Sequence, residues 1–484
     1  MPSFSDVIES LTKLPFEHHQ RVISEAVIDS RQVTENSLFV AIPGENVDGH
    51  DYVAQAFQQG ASAALIQRMP AEMALGNGTA FNLLDLSNGR QPTLDEISRT
   101  VQNESPVCFL VDHTVTALQD IAAFWRKKLN LRVIGITGSV GKSTSKEAIA
   151  QVLSQRYATL KSAANLNNEI GLPLSVLKLT PQHQRAVLEM GFYVPGEIKQ
   201  LCDIALPHVG VLTNIGTVHA ERAGSKEAIA LGKGELVEAL PPAPEGVAIL
   251  NYDDPYIRPM HSRTRARVFY YGMHPAADIW ADEVESNGLE GIRFRLHYQN
   301  EILHLRVPML GRHSVETALR AAAVGLVEGL AWDEIIQGLQ KNHTQLRLNA
   351  VRTENGALII DDTYNASPES TMAAINLLEE LQGRKIAVLG EMLELGQYED
   401  EGHNLVGIRA AQVANVLVTL GLRAHIIAEA ARKTGMNSAN IVECEDIHEV
   451  IDWLKTNLTS SDAVLIKGSH GLRMERIIAA LEVL

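Results

Sequence analysis

Short apolar runs separated by polar turns mark the first 110 residues of the chain. These runs predict strands at residues 27–28, 38–42, 63–66 and 107–111. A helix is predicted over residues 51–59, between the second and third of these strands. Residues 69–106 show little periodicity and are rich in Gly, Asn, Ser and Pro, which predicts an irregular insertion. The pattern indicates a small α/β domain.

From residue 115 the pattern changes to longer helices that alternate with strands. Helices are predicted at residues 115–129 and 143–156, and strands at residues 131–137, 186–188 and 209–213. In the second helix, Ala148, Ile149, Val152 and Leu153 fall on one face. Alternation of this kind is typical of a parallel sheet covered by helices.

Residues 247–307 change to a period of two. Ile292, Phe294 and Leu296 point to one face of a strand, and residues 303–307 repeat the pattern after a turn at Gln299-Asn300. We therefore predict an antiparallel hairpin appended to the second domain, followed by a helix over residues 313–328.

A third α/β unit begins near residue 344, with strands predicted at residues 358–360, 386–389, 416–419 and 464–466. The predicted fold class is thus α/β with three domains, at residues 1–112, 113–343 and 344–484. The first is a small α/β domain. The second is a parallel-sheet domain with a small antiparallel β appendage, and the third is Rossmann-like.

Composition and charge narrow the function classes. The 484 residues carry 58 acidic and 42 basic side chains, a formal charge of −16, and aromatic residues make up only 5%. Such a chain repels nucleic-acid backbones and offers few platforms for base stacking, so we expect no nucleic-acid partner. The three cysteines lack CxxC spacing, and no apolar run is long enough to span a bilayer. We expect a cytoplasmic protein with reduced thiols and no membrane partner.

The most informative string is Thr137-Gly138-Ser139-Val140-Gly141-Lys142-Ser143-Thr144, placed between a predicted strand and a predicted helix. Glycines let the backbone wrap a phosphate, while successive N–H groups and the helix N-terminus supply positive potential. Lys142 would reach the terminal phosphates, and the Ser143 hydroxyl can bind Mg²⁺. Ile136 stands where the general Walker pattern has its first glycine, so the match is to the shorter form GxxGK[ST]. The string predicts an ATPase-type phosphate loop in the central domain.

Polar residues at strand ends are further candidates, because open α/β sheets bind ligands beyond the carboxyl ends of their strands. Glu189 ends one predicted strand, and Asn214 ends the next, with His219 five residues later. A carboxylate and an imidazole beside a triphosphate could bind Mg²⁺, but a buried structural Glu and a loop His fit the spacing equally well. Lys233 reads as a surface lysine at the start of a helix.

The third domain contributes two polar strings after apolar strands. Asp361-Asp362-Thr363-Tyr364-Asn365-Ala366-Ser367-Pro368 holds more acidic and polar groups than a turn requires, although a helix cap explains Ser367-Pro368. Lys467-Gly468-Ser469 is a basic strand end that could meet an anion. The acidic residues Glu391, Glu394, Glu399, Asp400 and Glu401 read as a solvated face.

Together these strings resemble the Mur ligases, the amide-forming ATPases that build the peptide of the bacterial cell-wall precursor. The resemblance covers nearly the whole chain. It fits best the F-type branch, which adds D-alanyl-D-alanine to UDP-N-acetylmuramoyl-tripeptide. The strings that carry it are NLNNEIGLP from Asn165, DDTYNASPES from Asp361, LGEMLELG from Leu389 and KGSHGLRME from Lys467.

The resemblance implies a role for each matching residue. Lys142 and Ser143 would bind the ATP phosphates and one of two Mg²⁺ ions, with Glu189 and His219 as metal ligands. Lys233 would carry a carbamate that reaches the second metal. The other implied contacts are His313, Arg347 and Asp362 for the nucleotide, and Ser30, Arg31, Asn165, Asn168, Tyr364, Asn365 and Lys467 for the substrates.

The implied chemistry is ligation through an acyl phosphate by a monomer. The chain departs from the family at Ser314, where an Asn linked to adenine recognition is common. Two alternatives remain open: another amide ligase of the family, E-type or resembling folylpolyglutamate synthase, and a non-catalytic ATP sensor.

Overall fold

The computed structural model describes residues 1–16, 21–44, 47–70, 81–102, 105–341 and 349–481. The chain divides into two compact units. The first comprises Met1–Gly135, Ala158–Gly191 and Lys199–Pro207, and the second comprises Ile136–Tyr157, Phe192–Ile198 and His208–Leu484.

The N-terminal part of the first unit is built on a parallel five-stranded sheet. Its strands are β1 (Ala26–Val27), β2 (Leu38–Val40), β3 (Ala63–Ile66), β4 (Asn82–Asp85) and β5 (Val107–Leu110), in the order β1-β2-β3-β5-β4. Its helices are α1 (Phe4–Thr12), α2 (Val53–Gln58) and α3 (Leu94–Val101). Phe39, Val53 and Phe57 pack into the core between this sheet and α2. The four strands predicted here are confirmed.

The prediction of an irregular insertion over residues 69–106 is wrong for the part that the structure describes. β4 pairs with β5 in parallel, and α3 begins with a capping box in which Thr93 and Glu96 bond each other's backbone N–H. The helix buries only Ile97 and Val101, and the edge strand buries only Leu84. Each element thus carries too few apolar residues to give a clear period. Residues 71–80 lie outside the described residues.

The second sheet has nine strands. Its strands are β6 (Arg132–Thr137), β7 (Thr159–Lys161), β8 (Arg185–Glu189), β9 (Val209–Leu212), β10 (Val247–Asn251), β11 (Arg267–Gly272), β12 (Ile279–Ser286), β13 (Ile292–Tyr298) and β14 (Glu301–Val307). The order is β14-β13-β12-β11-β10-β9-β6-β8-β7. The predicted hairpin is β13 and β14, whose register runs from Ile292 opposite Val307 to Tyr298 opposite Glu301. It continues the sheet through β12, which pairs in parallel with β11 and antiparallel with β13.

Eight helices accompany this sheet in the described part of the chain. They are α4 (Thr114–Lys128), α5 (Lys142–Leu153), α6 (Gly171–Leu177), α7 (Glu197–Ala205), α8 (Ala220–Ala223), α9 (Lys226–Glu238), α10 (Ser314–Val327) and α11 (Trp332–Gln340). The predicted helices correspond to α4, α5 and α10.

The C-terminal part has a six-stranded sheet in the order β15-β16-β20-β17-β18-β19. Its strands are β15 (Asn349–Arg352), β16 (Leu358–Asp362), β17 (Arg384–Gly390), β18 (Val416–Leu420), β19 (Ile441–Cys444) and β20 (Asp462–Lys467). Only β15, of these six, is antiparallel to its neighbour. The helices are α12 (Pro368–Glu380), α13 (Glu399–Val413), α14 (His425–Lys433), α15 (Ile447–Asn457) and α16 (Glu475–Leu481). Separate apolar cores cover the two faces of the sheet, as in a Rossmann-like domain.

The register of the C-terminal sheet brings two of the polar strings together. β20 lies between β16 and β17 and pairs Lys467 with Asp362 on one side and Leu389 on the other. The carboxyl ends of these strands therefore meet at one edge.

All three cysteines are buried, and none forms a disulfide. Within the described ranges, no helix combines the length and the apolar character needed to cross a membrane.

Candidate active site

The phosphate loop is held in a conformation that only its glycines allow. Thr137 ends β6, and α5 begins at Lys142. Gly141 caps that helix with a φ of 84°, and Gly138 has a φ of 147°. A Cβ on Gly138 would lie 1.8 Å from the Thr213 Oγ1, so no other residue fits there.

Asn214, which follows β9, fixes the middle of the loop. Its Oδ1 accepts the Val140 N–H at 2.9 Å, and its Nδ2 donates to the Val140 carbonyl at 3.2 Å. Its own carbonyl accepts the Ser139 N–H at 2.9 Å. Asn214, to which no role was assigned from the sequence, thus shapes the backbone that would receive phosphate.

The reactive side chains of the loop lie at the start of α5. The Lys142 Nζ donates to the Gly138 carbonyl at 2.8 Å and is 3.3 Å from the Ser139 carbonyl. Ser143 is buried in the first turn, and Thr144 is partly buried beside it. Lysine and hydroxyl therefore stand at the positive end of the helix, where anions bind.

Lys233 is buried in the middle of α9, so its interpretation as a surface lysine at a helix start is wrong. It is 1% exposed, and its Nζ donates to the Gly138 carbonyl at 3.0 Å and lies 4.7 Å from the Phe192 ring centre. Gly232 permits this packing, since a Cβ there would lie 2.1 Å from the Phe192 ring. Burial, with the charge of Lys142 as a second cause, lowers the pKa of Lys233 well below 10.5. A deprotonated amine is the form that reacts with carbon dioxide.

His219 is held by a residue that the sequence placed on a solvated acidic face. Its Nδ1 lies 2.6 Å from the Glu394 Oε2, and its ring meets Tyr193 edge to face at 4.6 Å between centres. Burial lowers the pKa of His219 and the Glu394 carboxylate opposes that shift. With Nδ1 engaged, Nε2 is the nitrogen left to bind a ligand. Glu394 is 39% exposed, so it lies partly in solvent as the sequence indicated, but its contact with His219 was not predicted.

Glu189, in the other unit, ends β8 and is 1% exposed. Its Oε1 accepts the Asn167 side-chain N–H at 2.9 Å. Asn165 and Asn168 are exposed on the same connection, and the Asn168 Oδ1 accepts the Gly171 N–H at 2.8 Å. Asn167 lies between two predicted residues, yet only the structure shows that it orients Glu189.

The string from Asp361 divides into structural and accessible residues. Asp361 accepts the Thr363 N–H at 3.1 Å, and Ser367 caps α12. Asp362 is buried against Lys467, whose Nζ lies 2.6 Å from its Oδ2. The Lys467 Nζ also donates to the Asn365 carbonyl at 2.8 Å. Tyr364, by contrast, is 39% exposed, and the Asn365 side chain is exposed as well.

The remaining predicted residues lie elsewhere on the chain. Ser30 is buried and donates to the Gln55 Oε1 at 3.1 Å, while Arg31 is 83% exposed and pairs with Asp29 at 2.7 Å. His313 lines a polar cavity of about 420 Å³ together with residues of α12 and α13. The neighbouring Ser314 hydroxyl donates to the Leu310 carbonyl at 2.6 Å. Arg347 lies outside the described residues.

The candidate metal ligands have the right chemistry but do not form a complete centre. A serine hydroxyl, an imidazole and a carboxylate are all groups that bind Mg²⁺. Across the described ranges, however, no three His, Cys, Asp or Glu side chains lie together as a metal site. The residues therefore fit Mg²⁺ when phosphate, water or a carbamate on Lys233 supplies further oxygens.

A glycine-dependent loop at the N-terminus of α5, on a mixed sheet followed by a Rossmann-like domain, defines a phosphate-loop α/β protein. Family profiles specify which one. Residues 136–325 match the Mur ligase middle domain, residues 346–470 the Mur ligase glutamate ligase domain, and residues 22–80 the Mur ligase family catalytic domain. The chain belongs to the Mur ligase family.

Individual relatives place it near one branch of that family. It is 34% identical to the UDP-N-acetylmuramoyl-tripeptide–D-alanyl-D-alanine ligase of Bacillus subtilis, over 96% of this chain and 94% of the relative. A crystal structure of MurF from Acinetobacter baumannii has a TM-score of 0.83 at 28% identity and covers 100% of this chain and 99% of its own. MurF of Thermotoga maritima in complex with ADP has a TM-score of 0.77 at 28% identity, covering 95% and 97%. The predicted family and three-domain α/β fold class are confirmed.

Two carboxylates of the second unit, neither of them predicted as a site residue, make polar contacts beside the candidate site. Glu394 contacts His219, and the Glu369 Oε1 accepts the Thr217 N–H at 3.0 Å. Both acids lie in strings that carry the family resemblance. That resemblance was the sequence feature that could have identified them as site residues. Their partners, 175 and 152 residues away in sequence, could not be inferred from it.

Proposed function

We propose that the chain is an ATP-dependent ligase that joins D-alanyl-D-alanine to UDP-N-acetylmuramoyl-tripeptide, with release of ADP and phosphate. The observation that carries the proposal is similarity over 96% of the chain to a relative that bears this activity in its name. The reaction belongs to the synthesis of the peptidoglycan precursor. Its substrates are small molecules, and we expect a cytoplasmic monomer.

The chemistry requires activation of a carboxylate, which is a poor acyl donor to an amine at neutral pH. The terminal carboxylate of the tripeptide would attack the γ-phosphate of ATP, forming a C–O–P bond and releasing ADP. The amino group of D-Ala-D-Ala would then attack the carbonyl carbon of this acyl phosphate. The resulting tetrahedral intermediate would collapse with loss of inorganic phosphate and a proton.

The loop and its helix would position the phosphates for the first step. The α5 N-terminus offers positive potential, and Lys142 would exchange its loop carbonyl partners for phosphate oxygens. Mg²⁺, when bound, would neutralise the negative charge that develops on the phosphates. Ser143, Glu189 and His219 are the side chains we expect to hold two such ions.

Lys233 is the candidate for a carbamate. Its lowered pKa favours the nucleophilic amine, and the neighbouring Lys142 would stabilise the negative charge that carbamylation adds. The acidic side chains of the described residues do not cluster into a metal site. The carboxylate of the carbamate would supply a further oxygen ligand.

The other predicted contacts are assigned by their exposure. Tyr364 and Asn365 are available to the incoming dipeptide, whereas Lys467, paired with Asp362, would act by shaping that strand edge. His313, Arg347 and Asp362 are expected at the nucleotide, and Asn165 and Asn168 at the tripeptide.

We assign the UDP end to residues 1–112, through Ser30 and Arg31, ATP to residues 113–343, and dipeptide binding and closure to residues 344–484.

The deciding experiment measures phosphate release and product mass with matched substrate pairs. UDP-MurNAc-tripeptide with D-Ala-D-Ala should release one phosphate per dipeptide added. UDP-MurNAc-dipeptide with meso-diaminopimelate or L-lysine tests the E-type alternative, and a folate with L-glutamate tests the other. Lys142→Met serves as the inactive control.

Each rival predicts a different outcome. Product formed only from the second or third pair would replace the proposed substrate with that of another amide ligase. ATP binding without product from any pair would favour the sensor. Phosphate release that needs no acceptor would remove the ligase assignment altogether.

A further inference from the structure

Arg320, on α10, is a cation buried directly beneath the phosphate loop. Its side chain is 4% exposed. The Nε donates to the Ser145 Oγ at 2.9 Å, Nη1 to the Tyr271 hydroxyl at 3.1 Å, and Nη2 to the Thr317 Oγ1 at 3.0 Å. Burial of a guanidinium costs several kcal/mol, so this set of acceptors needs an explanation.

The buried charge is only partly neutralised. Its acidic partner is Glu316, whose Oε2 lies 3.3 Å from Nη1 and whose side chain is 33% exposed. That distance exceeds the roughly 2.7–2.9 Å of a strong charge-assisted bond, and burial raises the pKa of Glu316, which disfavours its charged form. Tyr271 stays a neutral phenol, because burial raises its pKa. The guanidinium is therefore the more deeply buried member of its ion pair.

Two short hydrogen-bonded paths connect this charge to the loop. Ser145, which accepts from Arg320, donates to the Gly141 carbonyl at 2.6 Å. Tyr271, the second acceptor, lies 2.9 Å from the Thr213 carbonyl, and the Thr213 hydroxyl donates to the Val140 carbonyl at 2.7 Å. A Cβ on Gly141 would lie 3.4 Å from the Arg320 Nη2, so the guanidinium is next to the loop backbone.

We infer that Arg320 is an electrostatic positioning residue for the nucleotide phosphates. It touches no ligand; its charge adds to the positive potential at the α5 N-terminus through a medium that water does not screen. This inference rests on the proposed function, since it requires a nucleotide on the loop. The competing role is mechanical, a cross-link between α10, α5 and β11.

Charge and shape can be separated by three variants. Arg320→Lys keeps the charge but loses most of the hydrogen bonds, while Arg320→Met keeps length without charge. We expect Arg320→Lys to bind ADP within about threefold of wild type. Arg320→Met should bind ADP about tenfold more weakly than wild type, which corresponds to about 1.4 kcal/mol. The loss in Arg320→Met should grow from AMP to ADP to a non-hydrolysable ATP analogue, measured by calorimetry.

The third variant predicts a change of opposite sign. Glu316→Gln removes the partial counter-charge on a side chain that is one-third exposed, so the fold should tolerate it. We expect ADP to bind about twofold more tightly. A mechanical network would instead bind more weakly when this partner is altered.

Three outcomes would overturn the inference: equal losses in Arg320→Lys and Arg320→Met, the same loss for adenosine as for ATP, or weaker ADP binding in Glu316→Gln. Melting temperatures identify any variant that fails to fold. If the Arg320 variants do not fold, ADP binding by Glu316→Gln decides between the electrostatic and the mechanical role. Failure of wild type to bind ADP would count against the proposed function, whereas intact wild-type ligation with unchanged variants would count only against Arg320.

Discussion

At the scale of single residues, the buried amine of Lys233 is a costly choice for its position. The Lys233 amine shares the interior with Phe192, and the Gly138 carbonyl to which it donates is already bonded by Lys142. An apolar side chain would fill the same space without the cost of removing an amine from water. A residue that lowers stability in a candidate site is better explained by chemistry than by packing.

Lys233→Met should therefore separate stability from activity. We expect ligation to fall at least 100-fold while the free energy of unfolding at pH 7 rises by about 1–3 kcal/mol, the usual cost of burying an incompletely bonded polar group. The gain has a defined pH dependence. Between the lowered pKa and 10.5 the unfolded chain binds one proton more than the folded chain, so the wild type loses stability as the pH falls through that window. The difference between variant and wild type should shrink toward pH 10.5, as measured by urea unfolding.

A surface control and a spectroscopic test complete this prediction. Lys199→Met removes an exposed pair with Asp203 and should change stability by less than about 0.5 kcal/mol. Wild type in ¹³C-bicarbonate should show a carbamate carbon resonance that Lys233→Ala lacks, and bicarbonate should not restore that variant. Full activity in Lys233→Met would refute the assignment.

At the scale of elements, strands and long helices were predictable because burial imposes a period on them. β3, β13 and α5 follow from apolar spacing alone. The short elements β4 and α3 were missed, because an edge strand and a helix with two buried residues show no clear hydrophobic period. Strand ends were located by sequence, but their neighbours were not: the contact of Lys467 with Asp362 depends on β20 inserting between β16 and β17.

This pair allows a prediction about the C-terminal sheet. Lys467→Met leaves the Asp362 carboxylate without its partner in a site where the two side chains are 2% and 12% exposed. We expect a loss of about 3–5 kcal/mol in the free energy of unfolding. The double variant Asp362→Asn, Lys467→Met should recover most of that loss, because no unpaired charge remains, while ligation stays impaired.

The matched control lies on α14, where Lys433→Met breaks an exposed pair with Glu429. It should leave the urea midpoint nearly unchanged. A double variant as unstable as Lys467→Met would show that the pair is not the source of the loss. Full ligation in the double variant would remove both residues from the site.

At the scale of the whole molecule, the family and its three-domain fold were predictable from sequence. Several long strings, spread over the full chain, all match the same family. Contacts between the central and C-terminal parts of the second unit could not be predicted from sequence. Glu369 meets Thr217 and Glu394 meets His219 across 152 and 175 residues. No local period or spacing encodes a contact between two strings so far apart, so these residues could be identified only from the fold.

These polar contacts suggest that the C-terminal domain docks reversibly. Glu394 is 39% exposed and its partner His219 is 19% exposed, and the Gln397 side chain donates to the Gly224 carbonyl at 3.1 Å. Partly exposed pairs contribute about 1 kcal/mol or less each, so a few of them can hold a closed form without preventing release. Substrates that enter between domains require such opening.

Weakening the docking contacts should open the enzyme without unfolding it. We expect the double variant Glu369→Ala, Glu394→Ala to lower kcat several-fold and to shift the melting temperature only slightly, since each contact is weak. Wild type should become more compact in solution scattering when a non-hydrolysable ATP analogue and UDP-MurNAc-tripeptide are added together, and the double variant should compact less. Glu401→Ala, an exposed acid on α13, should behave as wild type.

Equal compaction of wild type and double variant would show that these contacts do not control closure. No compaction of wild type would mean that closure is not part of the catalytic cycle.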